Sequence, residues 1–121
     1  MDSSRTLLPI FIELPPFQRH REEYLADESY RLLQALLIAY PEAGDVIRNT
    51  GGLRKLRFED RQRGKGKRSG LRIIYYWWSG KHEFLLFTLY NKDEIKDLTE
   101  AEKGVLKSLL ERELRARQTI R

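Results

Sequence analysis

The chain has 121 residues and is 40% apolar, enough for one domain around one modest core. Its 23 Lys and Arg against 18 Asp and Glu leave a formal net charge of +5, which favours an acidic partner without identifying it. Cysteine is absent, which excludes disulfides, thiolate metal sites and a cysteine nucleophile and suits the cytoplasm, and no apolar run approaches the roughly 18 residues of a membrane span.

The opening MDSSRTLLPIFIELPP has a short apolar stretch interrupted by Pro9, Pro15 and Pro16, with no small-residue cleavage pattern, so it does not read as a signal peptide. Leu8 to Leu14 alternates, with Leu8, Ile10, Ile12 and Leu14 on one face, and predicts a first strand that ends at Pro15-Pro16. Phe17 to Leu25 has the pattern of a short amphipathic helix. From Asp27 or Glu28 to Tyr40, the apolar positions Tyr30, Leu33, Leu36, Leu37 and Tyr40 recur at helical spacing, and Pro41 closes the run. PEAGDVIRNTGG reads as a loop, with Gly51-Gly52 turning the chain into a strand over Leu53 to Glu59.

Leu71 to Trp78 is dense in β-branched and aromatic residues and predicts a central strand. Ser79-Gly80-Lys81 turns it into a returning strand from His82 or Glu83 to Tyr90. Thr99-x-x-Glu102 is a capping box that opens a helix to about Arg117, with Val105, Leu106, Leu109, Leu110 and Leu114 as its stripe. Consecutive strands with short connections predict a mainly antiparallel sheet in an α+β domain spanning residues 1–121, with the two longer helices on one face and the charged strand positions on the other.

Between Gly51 and Trp78 the sequence GGLRKLRFEDRQRGKGKRSGLRIIYYWW places Arg61, Arg63, Lys65, Lys67, Arg68 and Arg72 in succession with no acid among them. Six like charges repel, and a polyanion such as RNA offsets them well. A solvated hairpin loop is the plainer reading of the same residues. Glycines at 64 and 66 make the loop mobile in this reading, and its charges suited to holding RNA. Acids collect elsewhere, in Glu22 to Glu28 and in Asp93 to Glu102, which favours a localised anion site.

Metal chemistry has little support: His20 and His82 are far apart, and no HExxH, P-loop or GxGxxG spacing occurs. Glu59 and Asp60 are explained by salt bridging to the basic loop. What remains is phosphodiester transfer by Lys, Arg and Tyr, in which an RNA 2′-hydroxyl attacks the adjacent phosphorus. Arg72 opens a rigid strand and its planar fork matches phosphate oxygens. Lys55 and Arg57 stand two residues apart and share a sheet face; one can hold phosphate, and Lys55 can act as a base if its cationic neighbours lower its pKa. A solvated strand face accounts for the same pair. Tyr76 and Trp78 fall on the Arg72 face and can stack a base, although core packing explains them equally well. Tyr90 ends the return strand, with Lys92 just beyond it, where a tyrosine can donate a proton or bond to phosphate.

The runs GDVIRNTGGLRKLRF, GKGKRSGLRIIYYW and LLFTLYNKDEIKDLT, in this order, resemble the RelE/HigB-type toxins of bacterial toxin–antitoxin pairs, with the closest likeness to the HigB branch. The likeness extends from Ile10 to about Leu114. It implies a microbial RNase-like (RelE-like) fold and cleavage of mRNA in the ribosomal A site without metal or cofactor. It also implies a cognate antitoxin, of helix-turn-helix type, that neutralises the toxin and through which alone the pair meets operator DNA. Matched by motif, the family's active face becomes Lys55 and Arg57 of LRKLRF, Arg68 and Arg72 of KRSGLRIIYY, and Tyr90 with Lys92 of LYNKDE. Asn91 stands where many relatives have Ala or Gly, and the insert DRQRGKGKRSG is long and basic. A related branch of the same fold poisons DNA gyrase instead. The residues alone support a small basic nucleic-acid-binding module.

Overall fold

A computed structural model describes residues 8–68, 70–95 and 97–118. Met1 to Leu7, the start of the stretch weighed as a leader, and Ser69, the end of the basic loop, lie outside the described residues. The elements are β1 (Ile10–Glu13), α1 (Pro15–Tyr24), α2 (Asp27–Ala39), β2 (Asp45–Val46), β3 (Arg54–Phe58), β4 (Leu71–Trp78), β5 (Glu83–Asn91) and α3 (Glu100–Gln118). They form a five-stranded sheet in the order β1-β5-β4-β3-β2. Pairing is antiparallel from β2 through β5, and β1 joins the edge of β5 in parallel.

The elements follow from local chemistry. Pro15 and Pro16 do not merely end β1: they are the first residues of α1, where the missing N–H has no partner to lose. Asp27 and Glu28 sit in the first turn of α2, at its positive end. The box that opens α3 is reciprocal: Glu102 N donates to Thr99 Oγ1 at 3.1 Å, and Thr99 N donates to Glu102 Oε1 at 2.8 Å. β2 lies inside the stretch read as loop. It pairs Asp45 with Lys55 and Val46 with Arg54, too short a ladder for any alternation to reveal.

The helices divide between the two faces of the sheet, which corrects the expectation that both long ones share a face. Leu71, Ile73 and Tyr75 of β4 pack with Phe17 of α1 and with Leu33 and Leu37 of α2. Ile74, with the partly buried Tyr76 and Trp78, packs with Leu106, Leu109, Leu110 and Leu114 of α3. β4 is central and apolar on both faces, so each face needs its own cover. Each of these helices has one apolar stripe and can serve only one face.

A buried polar tether fixes β2 beside β3. The Tyr75 hydroxyl donates to Pro41 O at 2.8 Å and accepts from Gly44 N at 3.0 Å. Arg54 Nη1 donates to Gly44 O at 2.7 Å.

Candidate functional site

A row of side chains crosses the sheet on the α3 face. Arg57 of β3 is in register with Arg72 of β4, and Arg72 with Tyr90 of β5. Simple alternation along β5 places Tyr90 on the opposite face, with Phe84 and Leu86. A bulge changes this: Ile74 pairs with Thr88 and Tyr75 with Leu86, so Phe87 is one extra residue in β5. Beyond it the faces exchange. Leu89 joins the cluster under α1 and α2, and Tyr90 joins the cluster under α3.

Beside this row lies a cleft of about 320 Å³ between β2, β3 and the approach to α3. Arg48, Lys55, Arg57 and Lys103 line it, with Asp45 and Asp97. Lys103 is paired with Glu100 at 3.1 Å. Arg48, Lys55 and Arg57 form no ion pair among the described residues. With Lys103 paired to Glu100, Arg48, Lys55 and Arg57 still outnumber Asp45 and Asp97, so the concavity carries a net positive charge. Arg48 and Lys103 escaped the sequence reading. Arg48 sits in a turn and Lys103 resembles an ordinary helical i,i+3 partner of Glu100, so only the tertiary fold unites them with Lys55.

Arg72 is 3% exposed, and its guanidinium already has partners. Nη1 donates to Lys67 O at 2.9 Å and Leu71 O at 3.1 Å, and Nη2 donates to Arg68 O at 2.9 Å. Burial, and then the like charge of Arg57, push its pKa down. The arginine read as a phosphate clamp thus also braces the end of the basic loop. Tyr90 is 6% exposed, and its hydroxyl has no hydrogen-bond partner among the described residues. Burial raises its pKa; Asp97 and Glu102 add to the rise and Arg72 opposes it. The phenol stays protonated across the physiological range.

The loop has more internal structure than its glycines suggest. Asp60 and Lys65 bond each other through both backbone groups, at 2.7 and 2.8 Å, closing a tight turn. Asp60, 1% exposed, accepts Arg63 Nε at 2.6 Å, and Arg63 Nη1 reaches Asp93 at 3.0 Å. Arg61 pairs with Glu59 at 2.7 Å. Lys65, Lys67 and Arg68 are exposed and form no ion pair among the described residues. Gly70 closes the loop where no side chain fits, since a Cβ would lie 2.4 Å from Phe58 O and 2.5 Å from Gly66 O.

The other sequence candidates spread out. Trp78 lies on the same face as Arg72 but six residues along β4, about 20 Å away. It sits under α3 with the Lys81 ammonium 4.5 Å above its ring. Lys92 follows β5 and bonds through its N–H to Gly70 O at 3.0 Å, tying the strand end to the loop. Asn91 caps the turn after β5, its side-chain oxygen accepting Asp93 N at 2.7 Å. That gives the departure at this position a local structural reason. His82 sits edge-on to Trp77 at the far hairpin. Among the described residues no group of three or more His, Asp or Glu could hold a metal ion, and no helix is long and apolar enough to cross a membrane.

The architecture is similar to that of a solved mutant of the E. coli toxin RelE in the free state, with a TM-score of 0.51, covering 74% of this chain and 90% of that one at 11% identity. The fold is RelE-like. No family model matches the chain. At 11% identity the likeness extends to the RelE-like architecture alone.

Proposed function

We propose that this chain is the toxin of a bacterial toxin–antitoxin pair, of the HigB branch, and that it cleaves mRNA on translating ribosomes in the cytoplasm. A cognate antitoxin of helix-turn-helix type neutralises it and carries it to operator DNA. The observation that supports this reading best is the cleft with unpaired Arg48, Lys55 and Arg57 beside the Arg72–Tyr90 pair. In this reading the RNA 2′-oxygen forms a bond to the adjacent phosphorus as the bond to the 5′-oxygen breaks. The products are a 2′,3′-cyclic phosphate and a 5′-hydroxyl. In this reading Arg57 neutralises the phosphorane, and the Lys55 amine, once deprotonated, takes the 2′-proton. In the same reading Tyr90, kept protonated by burial, gives a proton to the 5′-oxygen. Lys65, Lys67 and Arg68 hold the flanking strand.

Mapping mRNA 5′ ends after induction tests the proposal. New 5′-hydroxyl ends are expected in translated messages and not in messages without ribosomes. They should persist in EDTA when polyamines keep ribosomes intact. Arg72 favours a second reading, because its guanidinium is buried and engaged with loop carbonyls. In that reading the cationic face only binds, to DNA gyrase or to nucleic acid. Growth arrest with intact mRNA and altered supercoiling would select it over the first.

A further inference from the structure

We propose that a second pocket, separated from the cationic cleft by Leu98, receives one nucleobase of the RNA strand whose phosphate lies in that cleft. The proposal rests on the RNA reading above. The pocket, about 420 Å³, forms where α1, the end of β5 and the first turns of α3 meet. Tyr24, Leu89, Tyr90, Ile95, Val105 and Leu106 give it an apolar, partly aromatic wall. Its volume is in the range of specific small-ligand pockets, roughly 300–1,000 Å³.

Two independent observations select the occupant. Leu98 lines both spaces, so a ligand reaching across it meets cations on one side and an apolar slot on the other. A nucleotide has that composition: a charged phosphate joined through one sugar to a flat, stackable ring. The second observation is the pair Tyr24 and Tyr90, two aromatic side chains in the wall of the pocket that suit a flat, stackable ring. Thr88 and Glu102 also line the pocket, so polar groups can meet a base edge there.

The test uses the full chain and a non-cleavable 2′-O-methyl RNA hexamer. A companion set lacks one base at a time but keeps sugar and phosphate. Binding is followed by fluorescence anisotropy. One abasic position should weaken binding about 10- to 100-fold more than the others. Ala101→Trp, at an exposed position on the pocket wall, should weaken the intact hexamer by a similar factor and abolish the difference. Val105→Trp provides the same obstruction from a second exposed position, and thermal melts check that both variants fold. Equal loss at every abasic site, with salt-dependent binding retained in both variants, overturns the base pocket and leaves the RNA reading standing. Absence of salt-dependent hexamer binding by the unaltered chain overturns the base pocket, while the ribosome-dependent reading is decided by the 5′-end mapping.

Discussion

Tyr90 faces the same side of the sheet as Arg72 because β5 carries one residue more than its partner, Phe87, between the pairs Tyr75–Leu86 and Ile74–Thr88. The bulge exchanges the faces of β5 midway. The first half can then bury Phe84 and Leu86 under α1 and α2 while the last buries Tyr90 under α3.

Tyr90→Phe should separate stability from activity. The phenol hydroxyl is buried without a partner, and such a group costs about 1–3 kcal/mol. Removing it should raise the melting temperature by a few degrees. If the hydroxyl gives a proton to the leaving oxygen, RNA cleavage should fall about 10²-fold or more in the same variant. Calorimetry and a single-turnover cleavage assay read the two effects.

Lys55→Gln with Arg57→Gln should have the opposite profile. Both side chains reach solvent and neither forms an ion pair among the described residues, so the melting temperature should hardly move. Each removes a charge from the anion site, and a lost donor of this kind costs about 10²–10³-fold in rate. Retained cleavage in a folded double variant would remove the cleft from the mechanism.

Arg72→Ala is expected to act on the fold as well as on the rate. Its loss leaves the carbonyls of Lys67, Arg68 and Leu71 without their donor, at a cost on the order of 3 kcal/mol. Urea melts should show the drop, and amide exchange should quicken through residues 60–68. Arg72→Lys should recover little of either, since one ammonium cannot reproduce the fork.

The pair Arg63–Asp93 joins the loop to the turn after β5, and it titrates. The Arg63 hydrogen bond holds the Asp93 carboxyl below its usual range. Because the folded value is depressed, the stabilisation is complete above the unfolded value, about 4, and is lost as pH falls through the folded value. A carbon-detected titration of Asp93 should show the low midpoint, and Arg63→Gln should move it upward.

The aromatic run of β4 and the capping box of α3 were legible because each is a strong local signal: the strand spans Leu71–Trp78, and the helix starts at Glu100 behind its Thr99 cap. The salt-bridging role read for Glu59 and Asp60 is also present, since local acids beside local cations need little tertiary information. The bulge was not legible, because alternation through EFLLFTLYN is equally good in either register. Nor was the engagement of Arg72, whose partners are backbone carbonyls that carry no residue code. Arg48 and Lys103 reach the cleft from a turn and a helix, which only the packing of α3 over the sheet brings beside Lys55.

Gly44 has a consequence for genetics. A Cβ there would lie 2.9 Å from the Lys55 carbonyl carbon and oxygen and 3.0 Å from the Tyr75 ring, so any side chain displaces the strand that presents Lys55. A library selected for survivors of a growth-arresting gene should therefore return Gly44 and Tyr75 beside Lys55 and Arg57. The first two act through backbone position and the last two through charge. Survivor frequencies alone would draw the contact surface too wide, and protection of the side chains by bound RNA would be needed to outline it.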